Sequence, residues 1–232
     1  MPGVSNYVLV HGAFVGGSFW RETGALLEQE GHRVDVVEQL PSAGPDPASL
    51  GDLQADVDVV RRAVEALGQP VVLVGHSYGG MVLTELADHP AVTHAVYLAA
   101  FWPQRGQSVM DLLGGGPFPE WLVLHDDEGT LEMVNDLEVR RQVECGDVDA
   151  ERAAEYLRRM VPQSVSSFAA SSTAPDRRHP TTYIICEQDQ AVPPAAQEQW
   201  AAAADNVERL PSSHQAMVSM PDQLARLLAR VS

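Results

Sequence analysis

Ser77 lies in Gly75-His76-Ser77-Tyr78-Gly79, with the apolar run Val71-Val72-Leu73-Val74 before it and the helix-forming Gly80-Met81-Val82-Leu83 after it. That order reads as buried strand, sharp turn, helix. In such a corner the serine takes a strained backbone conformation that pushes its hydroxyl out above the sheet. Gly75 and Gly79 lack Cβ atoms, so strand and helix can cross closely around it. The helix that follows aims free N–H groups and its positive dipole end at any anion that forms there. Ser77 is therefore the candidate nucleophile. The competing reading, a glycine-rich loop with an ordinary exposed serine, is weakened by the flanking strand and helix.

A serine hydroxyl is a poor nucleophile near neutral pH and needs a base in hydrogen-bond reach, with a third group to hold that base. When the serine sits on such a corner, the acid and then the histidine follow it in the chain. Of the 8 histidines, His214 in Pro211-Ser212-Ser213-His214-Gln215-Ala216-Met217 alone follows the last predicted strand, where a loop can return over the sheet. The acid belongs just past a strand end. Glu187 and Asp189 both qualify in Ile184-Ile185-Cys186-Glu187-Gln188-Asp189. Asp189 is preferred because it sits in the turn that can lean toward His214, while Glu187 adjoins the strand.

Acyl transfer also needs two backbone N–H groups near the carbonyl oxygen as it becomes negative, each often worth roughly 3 kcal/mol. Tyr78, directly after the serine, is placed to supply one. The glycine-rich loop His11-Gly12-Ala13-Phe14-Val15-Gly16-Gly17 should supply the other from Ala13, with Phe14 as fallback. His11 and His76 are read as residues that brace their loops.

These groups need a scaffold. Tyr7 to Val10 predicts a first strand, then a helix to about Gly31, and Arg33 to Leu40 a second strand. From Ser49 as N-cap, Leu50, Leu53, Val57, Val60, Val64 and Leu67 recur at helical spacing, closed by Gly68. After the serine strand come a helix from Tyr78 to about His89 and a strand from Ala95 to Ala100. Strand and helix alternate, so the fold class is α/β, with a mostly parallel sheet covered on both faces.

The alternation stops over 104–173, which reads as an insertion, or lid, over the sheet's carboxyl edge, with 1–103 and 174–232 as the core. A hairpin around Asp126 to Gly129 and a helix from Asp149 to Val161 are expected inside it. Thr181 to Cys186 resumes the sheet, followed by a helix from Pro194 to Ala204, a strand from Val207 to Leu210 and a helix from Pro221 to Val231. Phe14, Trp102, Phe118, Trp121 and Phe168, with Phe101, are candidates to make an apolar pocket under the insertion.

A chain of 232 residues can bury a sizeable core. Its formal charge of −17 argues against nucleic acid or an anionic membrane as partner. All 15 basic residues are arginine, which removes Schiff-base and P-loop chemistry. No stretch approaches the roughly 20 apolar residues of a membrane span. Met1 to Asn6 does not read as an export signal, and Cys145 and Cys186 read as buried thiols, so a cytoplasmic protein is expected. Assembly of identical copies is left open.

The stretches Val8-Leu9-Val10-His11-Gly12-Ala13 with Gly16-Gly17, Gly75-His76-Ser77-Tyr78-Gly79-Gly80, Gln188-Asp189-Gln190 followed by Gln199-Trp200, and Ser213-His214-Gln215-Ala216-Met217 together resemble the α/β-hydrolase superfamily. The resemblance covers essentially the whole chain. Within the superfamily it is similar to the small esterase and hydroxynitrile-lyase group that includes plant methyl-ester hydrolases. The lyase branch needs a lysine directly after the catalytic histidine and a threonine directly after the first-strand histidine. Here Gln215 and Gly12 hold those positions. The resemblance therefore implies a serine esterase with no cofactor or metal, cleaving a small, neutral, largely apolar ester or lactone through an acyl-enzyme. Two other functions fit the same residues: a cofactor-free lyase or dioxygenase using His214 as base, and a receptor-like ligand-binding protein.

Overall fold

The computed structural model describes residues 4–231. Met1 to Gly3, part of the stretch read as lacking an export signal, lie outside the described residues. The chain begins β1 (Asn6–Val10), α1 (Arg21–Gln29), β2 (Arg33–Val36), α2 (Leu53–Leu67), β3 (Val71–His76), α3 (Gly79–Glu85), β4 (Val92–Leu98). Between β4 and the next sheet strand lie α4 (Val109–Leu112), β5 (Leu122–His125), β6 (Thr130–Met133), α5 (Leu137–Glu144), α6 (Ala150–Leu157), β7 (Gln163–Ser164) and α7 (Val165–Ala169). Then follow β8 (Thr181–Cys186), α8 (Pro194–Ala201), β9 (Asn206–Leu210), α9 (Ala216–Ser219) and α10 (Pro221–Val231).

The main sheet has six parallel strands in the order β2-β1-β3-β4-β8-β9. Side chains alternate between its faces, and both faces are covered, so central strands read as unbroken apolar runs. Val8, Leu73, Tyr183 and Ile185 pack with Val57, Val60 and Val64 of α2 and Met81 of α3. Tyr7, Leu9, Val72, Val74 and Ile184 pack on the other side with Leu27 of α1 and Leu224 and Leu228 of α10. Truncating a fully buried residue such as Leu73 to alanine is expected to cost about 2–5 kcal/mol. A parallel sheet puts the carboxyl ends of all its strands at one edge, where such folds keep their ligand sites. The loops after β1, β3, β8 and β9 therefore meet there.

Several boundaries differ from the sequence reading. Helix α2 starts at Leu53, capped by Asp52, whose carboxylate accepts from Ala55 N at 3.0 Å. Ser49 cannot cap it because its hydroxyl donates to Asp46 O at 2.9 Å within a preceding 3-10 turn. Strand β2 stops at Val36, and Glu38 O accepts from Gly17 N at 2.9 Å, holding the glycine-rich loop. Helix α3 stops at Glu85, and α6 and α8 stop at Leu157 and Ala201.

The segment between β4 and β8 has its own three-stranded antiparallel sheet, β5-β6-β7. The hairpin around Asp126 to Gly129 joins β5 to β6, with His125 opposite Thr130. Helices α4, α5 and α7 and strand β7 had no counterpart in the sequence reading. The segment is sewn to the core by backbone hydrogen bonds: Val161 N to Phe14 O at 2.9 Å, Gly44 N to Pro162 O at 3.0 Å and Ser164 N to Ser42 O at 2.7 Å.

Candidate active site

The turn after β3 holds Ser77 at φ 52°, a left-handed conformation that costs a non-glycine residue on the order of 1–3 kcal/mol. Its surroundings over-determine it. Ser77 N donates to Leu98 O at 3.1 Å, and Ser77 O accepts from Gly80 N and Phe101 N, both at 3.0 Å. The crossing of strand and helix leaves no room for side chains. A Cβ on Gly75 would lie 2.6 Å from Leu83 Cδ1, and one on Gly80 would run into the Phe101 carbonyl oxygen.

Asp189, in the turn after β8, is buried with both carboxylate oxygens occupied. Oδ1 accepts from Ala191 N and Val192 N, both at 2.8 Å. Oδ2 accepts from Gln197 Nε2 at 2.9 Å and from His214 Nδ1 at 2.6 Å. Glu187 is exposed and takes no part. With its Nδ1 proton committed to Asp189, His214 has Nε2 free to accept another.

The His214 loop is clipped on two further sides. His76 Nε2 donates to His214 O at 3.0 Å, and the two rings lie 4.4 Å apart. From α5 and the turn after it, Glu144 O accepts from Gln215 N at 2.9 Å, and Asp147 accepts from Ser213 through its backbone N at 3.1 Å and its hydroxyl. Burial opposes a charge on His214, but Asp189, by charge and hydrogen bond, and the Glu144 charge more than offset it and raise its pKa. Burial holds the other two imidazoles neutral: His11 falls to about 4, and His76, beside His214, well below its ordinary value. His11 braces its loop by accepting from Leu40 N at 3.0 Å and donating to Gly12 O at 2.8 Å.

Ser77 and His214 line one cavity of about 450 Å³, counting its open mouth. Among the described residues no hydrogen bond joins Ser77 Oγ to the ring, and such contacts often tighten only when substrate is bound. Ala13 and Phe14 form part of the wall. Phe14 N donates to Gln163 Oε1 at 3.4 Å, whereas the N–H groups of Ala13 and Tyr78 have no acceptor among the described residues. Apart from Glu144 the remaining wall is apolar, with Phe101, Trp121, Leu122 and Phe168 among its members. An adjoining apolar vestibule reaches outward past Leu112, Pro119 and Trp200.

Of the aromatic residues expected at the pocket, Phe14, Phe101, Trp121 and Phe168 do line it. Trp102 and Phe118 do not. Trp102 stacks on Tyr97 at 4.2 Å with the Arg177 guanidinium 5.8 Å from its ring centre, and Phe118 packs against the core. The chain makes a left-handed step at Ala99, φ 44°, beyond β4. Phe101 and Trp102 then diverge, and composition alone gives no sign of which faces the cavity.

Sequence reasoning missed Glu144, a buried carboxyl in the cavity wall. It also missed a buried chain behind Tyr78. Tyr78 OH donates to Asp56 Oδ2 at 2.7 Å, and Asp56 Oδ1 accepts from Ser42 N at 2.9 Å. Gln163 Nε2 donates to Ser42 Oγ and Ser167 Oγ, both at 2.7 Å. Burial pushes Asp56 up to about 6 against the pull of the Ser42 and Tyr78 hydrogen bonds. The one available signal was a carboxylate on the apolar stripe of α2, between Leu53 and Val60. Cys145 and Cys186 are free and buried. Among the described residues, no three or more His, Cys, Asp or Glu group to hold a metal ion, and no helix is long and apolar enough to cross a membrane.

Comparison with known proteins agrees with this architecture. Residues 7–227 match the model of the alpha/beta hydrolase family, and the chain belongs to that family. It is 32% identical to a carbendazim hydrolyzing esterase of Nocardioides sp., over 97% of this chain and 99% of that protein. It is 25% identical to polyneuridine aldehyde esterase of Rauvolfia serpentina, over 98% and 95% of the two chains. Among solved structures, a pyrethroid hydrolase from Sphingobium faniae JZ-2 superposes with a TM-score of 0.85 at 27% identity, covering 98% of this chain and 97% of the other.

Proposed function

We propose that the protein is a serine hydrolase that cleaves a small carboxylic ester or lactone through an acyl-enzyme. The observation that carries the reading is the convergence on one cavity of a serine in a strained strand-to-helix turn and an imidazole whose Nδ1 proton is held 2.6 Å from a buried carboxylate. In this reading His214 Nε2 takes the Ser77 proton as Oγ attacks the ester carbonyl. The oxyanion is met by the free N–H groups of Ala13 and Tyr78. His214 then passes the proton to the leaving oxygen, and water repeats the sequence on the acyl-enzyme. Asp189 keeps the ring in the tautomer this needs.

The esterases among its relatives support the reaction class. The apolar wall suits a small, neutral, largely apolar substrate, and the segment between β4 and β8 serves as the lid that excludes water from it. Hydrolysis of p-nitrophenyl acetate by wild type and Ser77→Ala tests the reading. A loss in kcat/KM of at least roughly a thousandfold is expected. Activity unchanged by Ser77→Ala but abolished by His214→Ala would replace it with a reaction in which His214 is the base and no acyl-enzyme forms.

A further inference from the structure

In the reaction above Glu144 acts on the His214 loop and its charge but meets no substrate atom. Yet its side chain is almost wholly buried and is the one acidic group among the described residues lining the cavity. Oε2 accepts from Gln215 Nε2 at 2.6 Å, while Oε1 has no hydrogen-bond partner among the described residues. Sealing such an oxygen from water without giving it a partner costs on the order of 1–3 kcal/mol, more if it is charged. An apolar ligand would leave that cost in place by excluding water from the oxygen.

The position of Glu144 indicates which part of a substrate it meets. His214 Nδ1 is taken by Asp189, so Nε2 must hand the proton to the leaving oxygen, and the leaving alcohol must lie against the His214 ring. Glu144 is on that side. It holds Gln215, the next residue in the chain, through both its backbone and its side chain, and its charge is felt by the ring. The alcohol part of the substrate therefore runs along the cavity wall that His214 and Glu144 both line. A hydroxyl is the donor that suits the place, because it can donate to a carboxylate or accept from a carboxylic acid.

We propose that Glu144 selects esters whose leaving alcohol carries a second hydroxyl close to the ester oxygen, so that the substrates are monoesters of diols. The proposal rests on the serine-hydrolase reading and narrows its substrate class. Sites built to bond a substrate hydroxyl reject the analogue lacking it far more strongly than apolar pockets discriminate by size.

2-Hydroxyethyl butyrate and propyl butyrate have the same acyl group and heavy-atom count and differ only in hydroxyl against methyl. The ratio of their kcat/KM values does not depend on how much of a preparation is folded. In wild type the hydroxyethyl ester should be favoured by at least about tenfold. In Glu144→Leu the ratio should fall to near one, and Glu144→Gln, whose amide can still bond a hydroxyl, should keep part of the preference. Should turnover be slow, the preference is read instead in binding, as the ratio of the two esters' inhibition constants against p-nitrophenyl acetate, with the same changes expected in the variants. A wild-type ratio near one, or one that survives Glu144→Leu, overturns the proposal while leaving Ser77-dependent hydrolysis in place. Hydrolysis of both esters untouched by Ser77→Ala would instead remove the reading beneath it.

Discussion

The two sides of His214 are built differently. On the sheet side, Asp189 sits in the turn after a buried strand, and its four hydrogen bonds leave it a single orientation. On the other side, Glu144 ends the eight-residue helix α5 at the cavity wall and has one oxygen tied down and one without a hydrogen-bond partner among the described residues. The sheet side has the rigidity a proton relay requires, whereas the side of the β4–β8 segment has a polar atom left over for a ligand. On the serine-hydrolase reading, chemistry falls to the scaffold and selectivity to the segment laid over it.

Asp189→Asn tests this contrast most severely. An amide can turn its NH₂ toward Nδ1 and favour the wrong tautomer, so kcat should fall by about 10³–10⁴ while the fold, read by circular dichroism, persists. A loss below tenfold would mean that Asp189 does not orient the ring. A smaller and graded effect concerns pH. The base must be neutral, and with its pKa raised above the ordinary 6.5, kcat/KM should decline as pH falls through a value above 6.5. Replacing either carboxyl should move that limb downward, Asp189→Asn further than Glu144→Gln because Asp189 acts by hydrogen bond as well as charge. An acid limb indifferent to both changes would show that neither carboxyl sets the base.

The smallest effect lies behind Tyr78. Because Asp56 rises from 3.8 to about 6 on folding, the folded chain holds its proton more tightly than the unfolded one between those values. The contribution of Asp56 to stability is therefore present at low pH and lost as pH rises through about 6, by at most about 3 kcal/mol. Urea unfolding of wild type and Asp56→Asn along this range should give a stability difference that shifts against wild type with rising pH and then levels off. Parallel curves would reject the assignment.

Ser77, Asp189 and His214 could be picked as candidates from sequence because each is marked by a few neighbouring residues. Glycines that must be glycine mark the first, a strand end followed by a turn the second, and position after the last strand the third. That they share a cavity wall or a hydrogen bond still had to come from the fold. In the β4–β8 segment only the hairpin and the helix after Asp149 were legible, for the opposite reason. Its helices span four to eight residues, too short for periodicity to stand out, and its strand β7 pairs with β6 across a long separation. Glu144 ends a short amphipathic helix that is charged along much of its length, so nothing separated it from Glu138 on the exposed face until packing did. Trp102 shows the converse: an aromatic next to a pocket residue can pack against the core and stay out of the pocket.

The clasp that α5 and its following turn place on residues 213 to 215 has a mechanical corollary. On the serine-hydrolase reading, a cover that also grips the base would unseat it if thrown wide open between turnovers. Reactant and product would then pass by the mouth of the cavity and the vestibule past Leu112 and Trp200, and the width of those openings, rather than a swinging lid, would limit what is admitted.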